Sequence, residues 1–173
     1  MLLDESGVNI NITRHYARSP KSERAVDNTP LNTPSNTTIL SSVWLSGETA
    51  YTIYPGGTTA NRFAEYLKST LHPTLSKTDI IVMDNMRFHH AGIVIKVLEE
   101  EGIPYLYLPP YNPDLNPIEK MRSKVKAFFR KKKVRVAAEL PEAIRMAFSV
   151  IQPSDCQRWF RSCFCVQQFI GVL

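Results

Sequence analysis

The chain has 173 residues, of which 43% are hydrophobic and 21% charged, with a formal net charge of +5. This is a globular composition, long enough for one domain with a real core. It excludes a helical membrane protein, because no run approaches the roughly 18 apolar residues of a span.

Met1-Leu2-Leu3 is followed at once by Asp4-Glu5, so no secretory leader is expected. The stub 1–5 reads as the end of a strand spanning only about 13 Å before Asp4, as if the chain started inside an element. The alternation at 8–12, VNINI, is compatible with a short strand but is not counted in the sheet. Residues 13–36 form an expected extended loop, with Pro20, Pro30 and Pro34 in its aperiodic part. Residues 37–45 and 49–54 are β-rich around Ser46-Gly47-Glu48 and read as a hairpin, which Pro55-Gly56-Gly57 closes.

Phe63, Tyr66, Leu67, Leu71 and Leu75 recur at helical spacing over 58–75, and Thr59 is a candidate N-cap. A strand follows at 79–84. Its apolar run Ile80-Ile81-Val82-Met83 has no alternation, so it is expected to be buried on both faces. A helix at 89–101 should bury Ile93, Val94, Val97 and Leu98 and stop at Gly102. The strand 103–108 is broken by Pro109 to Pro113.

Asn116-Pro117-Ile118-Glu119 combines an N-cap, a proline at the first helical position and a glutamate able to cap back. The helix it opens should bury Ile118, Met121, Val125 and Phe128 or Phe129. Two more helices are expected at 137–151 and 154–165, and 166–173 is a tail. The order of elements predicts an α/β fold: a mixed five-stranded sheet with helices on its faces.

Positive charge is concentrated rather than spread. Lys120 to Arg135 holds nine basic residues and no acid, so the remainder is net acidic. Glu119, Arg122, Lys126 and Arg130 share one face of the predicted helix, and Lys131, Lys132 and Lys133 continue it. Such a stripe suits a polyanion, usually nucleic acid, or is simply a solvated face.

Acids at the carboxyl ends of buried strands lie where open α/β sheets place their chemistry. Asp4 and Asp84 would be neighbours if their strands pair, and Glu119 would reach in from its helix. Three carboxylates converging in this way suit two divalent ions in phosphoryl transfer. Each acid also has a plain reading: Asp4 as a frayed end, Asp84 as a strand-end turn, Glu119 as half of a capping box. His89 and His90 either open a helix or touch phosphate or metal. Cys156, Cys163 and Cys165 are odd in number and lack a second cluster, so reduced cytosolic thiols are the simpler expectation over zinc. Trp44 and Trp159 read as packing residues.

Three stretches carry a resemblance: MLLDESGVNI, DIIVMDNMRFHH and YLYLPPYNPDLNPIEKMRSKVKAFFRK. They resemble the catalytic domain of DDE transposases, in the bacterial insertion-sequence branch of the Tc/mariner superfamily. Asp84 and Glu119 have 34 residues between them, the spacing usual there. The resemblance implies an RNase H-like catalytic domain over 1–165 with Asp4, Asp84 and Glu119 as its metal-holding triad. It implies two Mg²⁺ ions, replaceable by Mn²⁺, cleavage at transposon ends, and strand transfer into target DNA, usually at TA. The implied partners are double-stranded DNA and a second copy of the chain, with 13–36 in the place of a loop that reaches across a dimer. The implied setting is the bacterial cytoplasm, without membrane.

Two features depart from that pattern. No helix-turn-helix region fits before Met1, so end recognition is expected from a separate or frameshifted reading frame. Arg122 stands where related sequences often have a tryptophan, and an arginine in place of a buried aromatic would loosen the helix unless that position faces DNA. The rival expectations are a catalytically inactive DNA-binding or dimerisation remnant and a nuclease of the same fold that only hydrolyses.

Overall fold

A computed structural model describes residues 1–14, 16–29, 36–109 and 116–163. Part of the 13–36 loop, residues 110–115, Cys165 and the 166–173 tail lie outside the described residues.

Five strands form one mixed sheet in the order β3-β2-β1-β4-β5. They are β1 (Leu2–Val8), β2 (Thr37–Val43), β3 (Thr49–Pro55), β4 (Ile81–Met83) and β5 (Tyr105–Tyr107). The first three are antiparallel neighbours, whereas β4 and β5 run parallel to β1. The β2–β3 hairpin turns at Gly47, whose φ of +103° is open to glycine and strained for other residues.

Side-chain alternation sorts the strands onto two cores. Leu3, Leu40, Ile81 and Met83 face α1 (Ala60–Glu65) and α2 (Gly92–Glu100) through Phe63, Tyr66, Leu67, Val94 and Leu98. Leu2, Val8, Ile39, Val43 and Val82 face α3 (Pro117–Lys132), α4 (Leu140–Ser149) and α5 (Pro153–Ser162). The sheet is thus sandwiched, and β4 is buried on both sides as its unbroken apolar run requires.

Several elements depart from the sequence expectation. VNINI is not a separate strand: β1 runs through Val8, and the Asn9 side chain accepts the Asn11 N–H at 3.3 Å in a local turn. The helix expected over 58–75 is capped by Thr59, which accepts the Arg62 N–H at 3.3 Å. From Tyr66 to Leu71 it widens into a π-turn, with the His72 N–H returning to the Leu67 carbonyl. Pro73 supplies the reason, since its ring lacks a donor and crowds the carbonyl four residues back. α2 begins at Gly92, not His89, which rotates Ile93 out to 45% exposure while Val94 and Leu98 stay buried.

α3 follows its pattern closely. The Asn116 side chain caps it, accepting the Ile118 N–H at 3.3 Å, and Pro117 occupies the first turn. Ile118, Met121, Val125 and Phe129 pack on β1 and β4, while Phe128 packs only at the margin. That packing sets which residues of the next helical face meet the sheet end. Among the described residues, no helix is long and apolar enough to cross a membrane.

Candidate active site

β1 and β4 pair in parallel through Leu2–Val82 and Leu3–Met83. Asp4 and Asp84 are the next residues on their strands, so they stand side by side where the parallel ladder ends. Asp4 is not a frayed terminal group. It lies within the seven-residue β1, is 4% exposed and is paired in register with buried Ser41 of β2. It shares the α3-facing side of the sheet with Leu2.

α3 brings the third acid. The Glu119 carboxylate does not complete a reciprocal cap; it accepts from Arg122 Nη1 at 2.7 Å. The same nitrogen donates to Asp4 Oδ2 at 2.9 Å. The two carboxylate oxygens can therefore be no farther apart than these contacts laid end to end. Asp4 Oδ1 accepts the Glu5 N–H at 2.7 Å. Burial pushes the Asp4 carboxyl up to about 7; Arg122 opposes this, and the charge of Asp84 adds to it.

Asp84 is approached from the opposite side. Its Oδ1 lies 3.0 Å from His89 Nδ1 and accepts the Met86 N–H at 3.3 Å. His89 is fully buried and also faces Glu5, which points to the α1 and α2 side of the sheet. Desolvation pulls the imidazole down, but its contact with Asp84 and the nearby charge of Glu5 outweigh this and raise His89 to about 9. Neither sequence reading of His89 describes this. Its spacing from Asp84, next to an aromatic residue, is the available signal. His90 instead pairs with the Asn85 side chain and stacks on Tyr107 at 4.2 Å.

Oxygen-rich carboxylates suit a hard divalent cation. Among the described residues, however, no three His, Cys, Asp or Glu side chains are grouped so as to hold a metal. Arg122 explains part of this: its guanidinium is a stand-in cation around which Asp4 and Glu119 have gathered. The donor set fits a divalent ion in that place provided Arg122 withdraws.

The basic stripe is divided by its partners. Lys120 reaches Ser162, Lys124 reaches Asp155, Lys133 pairs with Asp27 at 2.9 Å, and Arg135 donates to the Ile10 carbonyl at 3.0 Å. Arg122 is held by Asp4 and Glu119 rather than turned outward. Lys126, Arg130 and Lys131 have no hydrogen-bond or ion-pair partner among the described residues. Lys132 lies over the Phe128 ring at 6.0 Å. Cys156 and Cys163 are buried free thiols. A cavity of about 240 Å³ lined by Tyr54, Arg62 and Glu65 includes none of the three acids.

The family model described as DDE superfamily endonuclease matches residues 1–140. The chain belongs to that family. The DDE domain is also similar in fold to solved structures. One is the Mos1 transposase paired-end complex with the left transposon end, at 18% identity and TM-score 0.75, covering 94% of this chain and 51% of that one. Another is the Mos1 strand transfer complex, at 17% identity and TM-score 0.68, covering 94% and 51%. A third is the Mos1 catalytic domain with Raltegravir and Mg, at 18% identity and TM-score 0.64, covering 94% and 76%. The chain spans about half the length of the Mos1 chains in the two complexes. No curated protein matches. The likeness makes the sheet and its flanking helices an RNase H-like fold, as expected.

Proposed function

We propose that this chain is the catalytic domain of a DNA transposase in the bacterial insertion-sequence branch of the Tc/mariner superfamily. Two observations support the reading: Asp4 and Asp84 follow the paired ends of β1 and β4, and Asp4 and Glu119 share a single cationic nitrogen of Arg122. Residues 1–165 act as the domain. Its activity is cleavage at transposon ends and transfer of the freed 3′ hydroxyl into target DNA in the cytoplasm. The second copy and a helix-turn-helix polypeptide belong to the same proposal, because paired transposon ends imply two active sites and a reader of end sequence. Complexes of Mos1 with transposon ends and with Mn or Mg support the DNA and metal parts of this reading.

Asp4, Asp84 and Glu119 would hold two Mg²⁺ or Mn²⁺ ions, which when bound supply charge to a phosphoryl transfer and activate the attacking oxygen. The protein's own part is positional. Asp4 must lose the proton that its burial favours, and Arg122 must leave the space between Asp4 and Glu119. Lys126, Arg130, Lys131 and Lys132 offer charge to flanking phosphates.

The test is nicking of supercoiled plasmid in Mg²⁺ or Mn²⁺ beside Asp84→Asn. Loss of nicking in the variant supports the assignment; equal activity removes it. Strand transfer from a pre-cut end with a free 3′ hydroxyl separates a transposase from a nuclease that only hydrolyses. A second reading, a catalytically silent DNA-binding relative, is favoured by one observation: Arg122 already neutralises two of the three acids.

A further inference from the structure

The His89 ring is enclosed on every side. Phe63 and Phe88 wall it with ring centroids 4.4 Å away, and the Tyr107 hydroxyl donates to its carbonyl at 3.1 Å. Nδ1 lies 2.9 Å from the Asp84 backbone carbonyl and 3.0 Å from Asp84 Oδ1. Both partners are acceptors, so this nitrogen carries a proton; it donates to the backbone carbonyl and holds Oδ1 beside it as an ion-pair contact. Nε2 faces Glu5 Oε2 at 3.8 Å, and neither atom has a hydrogen-bond partner among the described residues.

The consequence falls on Asp84. Its side chain is 36% exposed and sits just past the end of β4, where no ladder constrains it. Left alone, such a carboxylate would sample several rotamers. His89 and the Met86 N–H both take Oδ1, leaving Oδ2 without a donor among the described residues. His89 thereby reaches the β4 end at Asp84 through Nδ1 and the β5 residue Tyr107 through its backbone carbonyl, with Glu5 of β1 facing Nε2.

We infer that His89 is a positioning residue: it locks the Asp84 carboxylate in the rotamer that leaves Oδ2 available to a divalent cation. This rests on the metal-holding role proposed for Asp84. Groups that orient a metal ligand from behind typically influence affinity by about 10–100-fold.

The test uses the full chain and Mn²⁺ alone as probe, with free Mn²⁺ followed by electron paramagnetic resonance and folding by thermal melts. His89→Asn places an amide N–H near the position of Nδ1 and keeps the donation to Asp84. His89→Gln places its amide near Nε2 and loses that donation. Both remove the same aromatic packing, so a merely structural role moves them together. The expected result is Mn²⁺ affinity about 10–100-fold weaker in the glutamine variant and near wild type in the asparagine variant. Equal affinities in the two variants overturn the inference. Asp84→Asn is measured alongside. If it loses Mn²⁺ while both His89 variants bind normally, the metal reading stands and the positioning role falls. If Asp84→Asn binds Mn²⁺ like wild type, the metal reading itself falls and takes this inference with it.

Discussion

Arg122 and Asp4 are 118 residues apart in sequence, yet the guanidinium donates to the buried carboxylate at 2.9 Å. This contact spans the junction of α3 and β1. It puts a side-chain cation between Asp4 and Glu119, two of the three acids that the DDE reading needs for a metal.

Replacing Arg122 separates its two roles. At pH 8, Arg122→Ala should destabilise the fold by about 3 kcal/mol, because it strands a buried carboxylate without its partner. Millimolar Mg²⁺ or Mn²⁺ should return much of that loss, since an ion that binds only the folded state stabilises it by mass action. Wild type should gain less from the same ion, having to displace its own guanidinium first. Thermal melts of both proteins with and without divalent ion check this. Equal gains would mean Arg122 does not compete with metal.

Stability should fall as pH rises across the neutral range. Asp4 is raised to about 7 in the folded chain, so its contribution is complete below the unfolded carboxylate range and is lost as pH climbs through 7. His89 is raised to about 9, so its contribution is complete below the ordinary imidazole range and is lost as pH climbs through 9. In both cases the folded state binds the extra proton. Melting temperatures should decline from pH 5 to pH 9, and Asp4→Asn should flatten the part below about pH 7. A rise over that range would contradict both assignments.

DNA binding should weaken with salt, and the slope should depend on which cations are removed. Neutralising Lys126, Arg130 and Lys131, which have no ion-pair partner among the described residues, should flatten the slope by about 0.9 for each phosphate that is no longer neutralised. Lys124→Ala should leave the slope unchanged, because Lys124 is bound to Asp155. Fluorescence anisotropy across a salt series distinguishes the two sets.

Phe129→Ala removes a fully buried ring between α3 and the sheet. It should cost about 3–5 kcal/mol by denaturant titration. Nicking measured where the variant remains folded should drop with it, since α3 carries Glu119.

Local pattern makes much of this fold readable. The unbroken apolar run of β4, the β2–β3 hairpin, and the Asn116-Pro117 start of α3 each depend on neighbours within a turn or a strand. The adjacency of Asp4 and Asp84 also follows, once β1 and β4 are taken as a parallel pair. Contacts between distant segments are not readable in this way. Arg122 shares the spacing of the outward cations, but its long side chain bends to the sheet end because Asp4 is there. The sequence puts His89 at a helix start, yet the helix begins at Gly92 and the imidazole is left to fill a gap between Phe63 and Phe88. The π-turn at Tyr66–Leu71 preserves the apolar spacing of an α-helix, so periodicity alone does not reveal it.

Crystals of the chain soaked in Mn²⁺ and measured at the manganese absorption edge would locate any bound ion by its anomalous signal. The account predicts a peak among Asp4, Asp84 and Glu119 with the Arg122 guanidinium swung away. Arg122 still bridging Asp4 and Glu119 at saturating Mn²⁺, with no peak beside them, would contradict it.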